Sequence, residues 1–507
     1  MNKSNTIRLI CTKAFYALAL VIFGWCYLSG FHDALGRKWL IVLSLVLSAA
    51  IVGLGCYLVY RFQSFFTSRI VWGFTAVGLC CMALLQYKIA SLFMVDPIGD
   101  FNAIFTSAIE YATTGKLKSF PVYFEQFPNN WGLLVWLIGF YRILYHFGMT
   151  ATSDFLCAGV ILNCVVIDLS VLLLVIFCKK VWGCPAAMIA LGLSLLFTPF
   201  YLHVPIFYTD TMSLIFPPLA LLLLYAAQRC SSWLPRILLY LLLGIVLSFG
   251  AKVKGNLMVL LVAFIIYLLM QIPLRRSLCC ILALIVSFGC FSAAFDAGVK
   301  RSNIVNMDTI DTYQFPKEFW FYMGLSNPGG FNGEDFDTIR FKNSVAEKRE
   351  TARERIRLRL HNYGVKGLIS HLTIKLGYTY GDGGYYICQQ LQDSPLKDTL
   401  LADYVFYNRP NSYIYLSISG GYHFLLGLIM IAGLLIGLFK ETDFSLTSLN
   451  YLILLGIFLF LMLWETRSRY LLNFTPVMLL VCAVQLSRLF GRLTNRTAKQ
   501  PAAPTET

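Results

Sequence analysis

The sequence predicts an all-α polytopic membrane protein, a bundle of about twelve to thirteen transmembrane helices with outer juxtamembrane helices and one long outer loop. Three observations carry this. Of 507 residues, 58% are hydrophobic and only 13% charged, about half the charged share of an average soluble protein. The mean hydropathy is +0.68. Apolar runs of about 17 to 25 residues, long enough to cross a hydrocarbon core as helices, recur along the chain. Together these exclude an ordinary soluble enzyme.

The runs lie at roughly 13 to 30, 39 to 60, 70 to 93, 131 to 147, 154 to 178, 184 to 200, 211 to 227, 235 to 250, 256 to 272, 277 to 295, 413 to 438, 449 to 464 and 470 to 490. Lys3, Arg8 and Lys13 precede the first run without a small-residue cleavage signature, which reads as an uncleaved span starting in the cytoplasm. The net charge of +15 is spread over loop ends rather than gathered on one face, so it anchors the chain and does not bind nucleic acid. Placing the clusters at Arg61 to Arg69, Lys179 and Lys180, Arg229 to Arg236, Arg275 and Arg276, Lys440, and Arg488 to Lys499 inside sets the alternation. It fails if 131 to 147 crosses, so that short, Arg142-containing segment reads as re-entrant or interfacial, leaving twelve crossings.

The resulting organisation is N-terminal helices at 1–93, a first outer loop at 94–130, a transmembrane core at 131–295, a long outer loop at 296–412, C-terminal helices at 413–490 and a cytoplasmic tail at 491–507. The long loop exceeds a bare connector, and Ala346 to Leu360 predicts a surface helix. Most of the 15 cysteines sit in apolar runs, where they act as small hydrophobes. The six histidines have no metal-ligand spacing. No Walker or dinucleotide-binding glycine pattern is present.

The polar outer pieces hold the candidate chemistry. Asp100, after the breakers Pro97 and Gly99, opens an amphipathic helix, either as its N-cap or as a general base; Asp96 could share the second role. YFEQFPNNWG follows, with Tyr123, Asn129 and Asn130 among aromatics that could equally anchor a span. Asp210, in FYTD, is a second outer acid. Lys252 and Lys254 in GAKVKGN, with Arg467 and Arg469 in WETRSRYLL, stand where the positive-inside rule disfavours them and so need anionic partners. Glu465 could pair with either arginine. A lipid phosphate is the other partner, favoured by arginine's bidentate geometry.

The order of these pieces, an outer Asp after an early span, YF..FP.N.G, YTD at the head of a span and ET.SRYLLNF.P before the last helix, resembles the GT-C membrane glycosyltransferases. Most similar is the protein O-mannosyltransferase and aminoarabinose transferase group in its Gram-positive bacterial form. FWFYMGLSNPGGFNGED (Phe319 to Asp335) and KLGYTYGDGGYY (Lys375 to Tyr386) are also similar to that subgroup. The resemblance implies a hexosyltransferase at the outer face of the plasma membrane, moving one sugar, with inversion, from a polyprenyl-phosphate donor to a cell-envelope acceptor, whether glycopolymer, lipid or protein. It implies Asp100 as the catalytic base and Asp210 as the second acid, with Arg467 and Arg469 on the donor phosphate. Lys252 and Lys254 are placed to assist by topology. A divalent cation, magnesium or manganese, on Asp100 and Asp210 is left open, because no third acidic ligand is clear beyond Asp335 and Asp382. A lipid-linked sugar flippase, for which Asp168 and Asn163 are the best features, and a polysaccharide polymerase are the alternatives.

Overall fold

The computed structural model describes residues 3–302 and 304–497; the terminal PAAPTET and most of the expected tail lie outside them. Every regular element among the described residues is helical, apart from one isolated bridge between Val95 and Pro395. Among the described residues ten helices are long and apolar enough to cross a membrane, and two shorter apolar helices, Cys184–Leu195 and Gly255–Gln271, coincide with two of the expected runs. The segment at 131 to 147 forms the 16-residue helix Trp131–His146, which is not one of the ten. It packs on Gly99–Thr114 and against the end of Trp233–Val253.

Burial orders the bundle from axis to lipid. In Ser468–Leu493, 89% of the apolar window is inside the protein, against 22% for Lys38–Arg61 and for Leu274–Arg301. The last span is therefore the axis, and the other two turn most of their surface outward, as helices bathed in acyl chains do. Close approach relies on small residues. A Cβ on Gly132 would overlap the backbone of Lys252 and Val253, so glycine lets Trp131–His146 lie directly on that helix end.

The two polar groups that a transporter would use are committed to structure. Gln86 Nε2 donates to Asp168 Oδ1 at 3.0 Å. Asn163 Nδ2 donates to the carbonyls of His203 and Val204 at 3.0 and 2.9 Å, holding the turn that leads to Asp210.

The long outer loop is folded. Leu274–Arg301 runs past the expected boundary at 296, and the predicted surface helix is the first of two helices in Val345–Tyr380, which meet at Gly364, where φ is +53° and ψ −170°. A second apolar cluster, including Phe315, Phe319, Tyr322, Met323, Ile339 and Ile356, gives this region its own core. Asp335 is locked there by a bidentate pair with Arg359 (2.6 and 2.8 Å), and Asn332 caps the helix beginning at Gly333. Buried Lys375 donates to the carbonyls of Gly324, Met462 and Trp464 at 2.8, 3.1 and 2.7 Å, tying the loop to the end of Leu446–Leu463. Burial pushes its ammonium down to about 7, opposed by Glu465.

Candidate functional site

The first outer helix begins differently from the N-cap expectation. Its cap position is Ile98, no side chain caps it, and Asp100 lies one position inside the first turn. Gly99 precedes it with φ +54°, a conformation that turns the chain out of the preceding span. Asp100 is thus left free for another partner, and it is exposed. The Tyr208 hydroxyl donates to its Oδ2 at 3.4 Å. Tyr123 adjoins it and accepts from Asn130 Nδ2 at 2.7 Å. Burial, with Tyr208 and Asp100 beside it, holds the Tyr123 phenol well above its usual range.

Asp100 borders two cavities. The larger, about 530 Å³, is also lined by Asn129, Asn130, Tyr208, Lys254, Glu465, Arg467, Arg469 and Tyr470, with aromatic walls from Phe127, Trp320, Phe331 and Trp464. The smaller, about 240 Å³, lies on the other side of Asp100, Tyr208, Arg467 and Arg469, and holds Asp96, Gln390, Asp393 and Ser394. One carboxylate and two guanidinium groups therefore stand at the junction of two chambers.

Asp210 is buried behind this junction. It pairs with Lys254, and Arg469 Nε lies 3.8 Å from its other oxygen. Burial lowers the Lys254 ammonium, against the pull of Asp210. Arg467 stacks over the Tyr386 ring at 4.9 Å, and its buried Nε makes no hydrogen bond; the Nε of Arg469 makes none either. Glu465 forms no ion pair within 4 Å with either arginine; the Tyr470 hydroxyl donates to it at 3.2 Å, and its backbone N–H donates to Trp320. Burial raises its carboxyl, while Arg467 and Arg469 pull the other way. A Cβ on Gly324 would meet the Trp464 and Glu465 backbone at 2.6 to 2.9 Å, so that glycine seats this strip against the outer core.

Two of the expected residues lie elsewhere. Lys252 is not on the cleft: it pairs with Asp296 at 2.6 Å and lines a separate cavity. Lys252 is in the last turn of the helix that ends at Val253, whereas Lys254 follows it in extended backbone (φ −148°, ψ 114°), so the two side chains leave in different directions. Asp382 accepts from the N–H groups of Gly384 and Tyr386 (2.8 and 2.7 Å) and from Ser468 (2.9 Å), which makes it the clamp of the GDGG turn. Asp96 is exposed at the rim, its backbone paired with Ser394.

The donor set does not fit a divalent cation. Asp210 is already compensated by two cationic side chains, Asp335 and Asp382 are committed as described, and the described residues contain no group of three or more His, Cys, Asp or Glu able to hold a metal. Sequence reasoning missed Tyr208, Tyr470 and Asn256 as lining residues, although all three lie inside the motifs that it singled out.

No curated protein sequence matches this chain. Among solved structures it is similar to the apo oligosaccharyltransferase of Archaeoglobus fulgidus, with a TM-score of 0.45 and 13% identity over 84% of this chain and 51% of that one. It is similar to the AglB oligosaccharyltransferase of the same archaeon, in complex with an inhibitory peptide and a dolichol-phosphate, with a TM-score of 0.44 and 13% identity over 86% and 52%. A third is apo ArnT from Cupriavidus metallidurans, with a TM-score of 0.38 and 14% identity over 85% and 81%. The chain spans about half the length of the two archaeal proteins, and all three likenesses are remote. Residues 8–489 match one family along nearly the whole chain, and the protein belongs to it: the conserved hypothetical integral membrane proteins.

Proposed function

We propose that this protein is a GT-C type glycosyltransferase that moves one sugar from a polyprenyl-phosphate donor to a cell-envelope acceptor at the outer face of the plasma membrane. The observation that carries this reading is the placement of Asp100: an uncapped carboxylate at the junction of two chambers, with Arg467 and Arg469 bordering both. A lipid phosphate in the larger chamber meets Lys254, Arg467 and Arg469, whose charge stabilises the phosphate as it leaves. The acceptor hydroxyl, in the smaller chamber, gives its proton to Asp100. Its oxygen bonds to the anomeric carbon as the carbon–oxygen bond to phosphate breaks, and inversion follows from attack opposite the leaving group. Tyr208 and Tyr123 hold Asp100 in place. In this reading Asp210 keeps Lys254 and Arg469 together before the donor arrives, and both termini are cytoplasmic.

The test is turnover. Full-length protein in detergent, given polyprenyl-phosphate hexoses with labelled sugars and an envelope extract as acceptor, should release polyprenyl phosphate and transfer label. Asp100→Asn and Arg467→Ala should each lower both by about 100-fold or more while the protein stays folded. Donor binding without transfer, unaffected by Asp100→Asn, would shift the reading to a lipid-linked sugar flippase.

A further inference from the structure

Trp233–Val253 and Leu274–Arg301 lie side by side, and between their outer ends is a cavity of about 490 Å³ separate from the cleft. One wall is Phe288, Ser292, Asp296 and Lys300. The spacing of four puts them on one face of the helix, over about 18 Å of its length. Facing them are Ser248 and Lys252, also four apart, and Lys317 comes from the outer loop.

The cavity holds three lysines and one carboxylate. Asp296 is spent on Lys252 at 2.6 Å, and neither Lys300 nor Lys317 has an ion-pair partner among the described residues. Ser248 is fully buried, and its hydroxyl has no hydrogen-bond partner although it borders this space. An orphan hydroxyl and two unpaired cations thus border one cavity, and each can bind an anion. The wall also grades along its length, from Phe288 towards the middle of the span to Lys300 at its end. Towards the bilayer the same helix continues into exposed Leu282 and Ile285.

We propose that this cavity binds the phosphate headgroup of a lipid at a second site, distinct from the cleft. The apolar-to-cationic grading suits an amphiphile, and the continuous lipid-facing wall selects a lipid over free phosphate, whose charge needs no such wall. Asn129 borders both this cavity and the cleft, so the two headgroups are neighbours. The inference does not depend on sugar transfer.

Native mass spectrometry of the full-length protein, titrated with dioleoyl phosphatidic acid, tests it. The wild type should retain two phosphatidic acids and no comparable phosphatidylcholine. Lys300→Ala/Lys317→Ala, which removes exposed side chains without partners and so spares the fold, should weaken one of the two by roughly tenfold or more. Ser248→Ala should weaken the same one, and Arg467→Ala/Arg469→Ala should affect only the other. Unchanged stoichiometry and affinity in Lys300→Ala/Lys317→Ala would overturn the site. Displacement of the lipid by millimolar inorganic phosphate would overturn its assignment to a lipid. Loss of turnover with both lipids still retained would count against the transferase alone.

Discussion

Asp210 stands between two cations, so removing its charge and removing one of its partners have unequal costs. Its side chain is 5% exposed, those of Lys254 and Arg469 are 10% and 15%, and Arg469 Nε lies 3.8 Å away. At an effective dielectric constant of about 20, unit charges at that separation attract by roughly 4 kcal/mol. Lys254→Met leaves this attraction in place, so its expected cost is only about 1–2 kcal/mol. Asp210→Asn leaves two buried cations facing each other and should cost about 3–5 kcal/mol, as breaking a buried ion pair does. The double variant should then be more stable than Asp210→Asn alone. Reversible unfolding in mixed micelles, arranged as a double-mutant cycle, measures the coupling. Equal losses for the two single variants, or a coupling below about 0.5 kcal/mol, would refute the argument. Polyprenyl phosphate should stabilise Asp210→Asn more than the wild type, because its phosphate replaces the missing charge.

Asp100→Asn should lower transfer by about 10²–10⁴-fold, the share of a general base, with the unfolding transition unmoved, because the side chain is exposed and caps nothing. A chelator should leave turnover unchanged, since Asp210 is compensated by side chains; loss of activity restored by magnesium or manganese would contradict this. Lys375 predicts a pH dependence. Its folded value of about 7 lies below its ordinary 10.5, so between those values the unfolded chain binds more protons and stability rises with pH. The midpoint of unfolding of the outer region should climb from pH 7 towards pH 10, and Lys375→Met should flatten that slope.

The sequence carries the sidedness of the site well. Asp100, Asp210, Lys254, Arg467 and Arg469 each stand at the end of an apolar run, and ends on one side of a bundle can meet. What it carries poorly is the phase of a side chain at such an end. Lys252 looks equivalent to Lys254 in one dimension, but Val253 ends the helix between them, and the cavities they line are separate. Asp382, read from the sequence as a possible acidic ligand, instead serves a turn, because the N–H groups of Gly384 and Tyr386 and the Ser468 hydroxyl donate to it. Val345–Tyr380 is two helices meeting at Gly364, whose φ of +53° and ψ of −170° are not helical; the first of them was legible over Ala346 to Leu360 and the second was not. Glu465 was legible as a charge near arginines, but its true partners, a tyrosine hydroxyl and burial itself, depend on packing that no local pattern reports.

The burial order of the spans bears on how the protein is made. The helix with the most enclosed surface is synthesised after the other nine described spans, and Arg467 and Arg469 sit at its start. Until it leaves the ribosome, the earlier spans must wait in the membrane with their inner faces against lipid or against one another, and neither the axis of the bundle nor its arginines exists. A chain interrupted before residue 468 therefore lacks the most enclosed helix of the bundle, on which Lys38–Arg61, Thr152–Trp182, Ser412–Lys440 and Leu446–Leu463 all pack. It offers quality-control proteases a loose set of spans rather than a nearly finished protein.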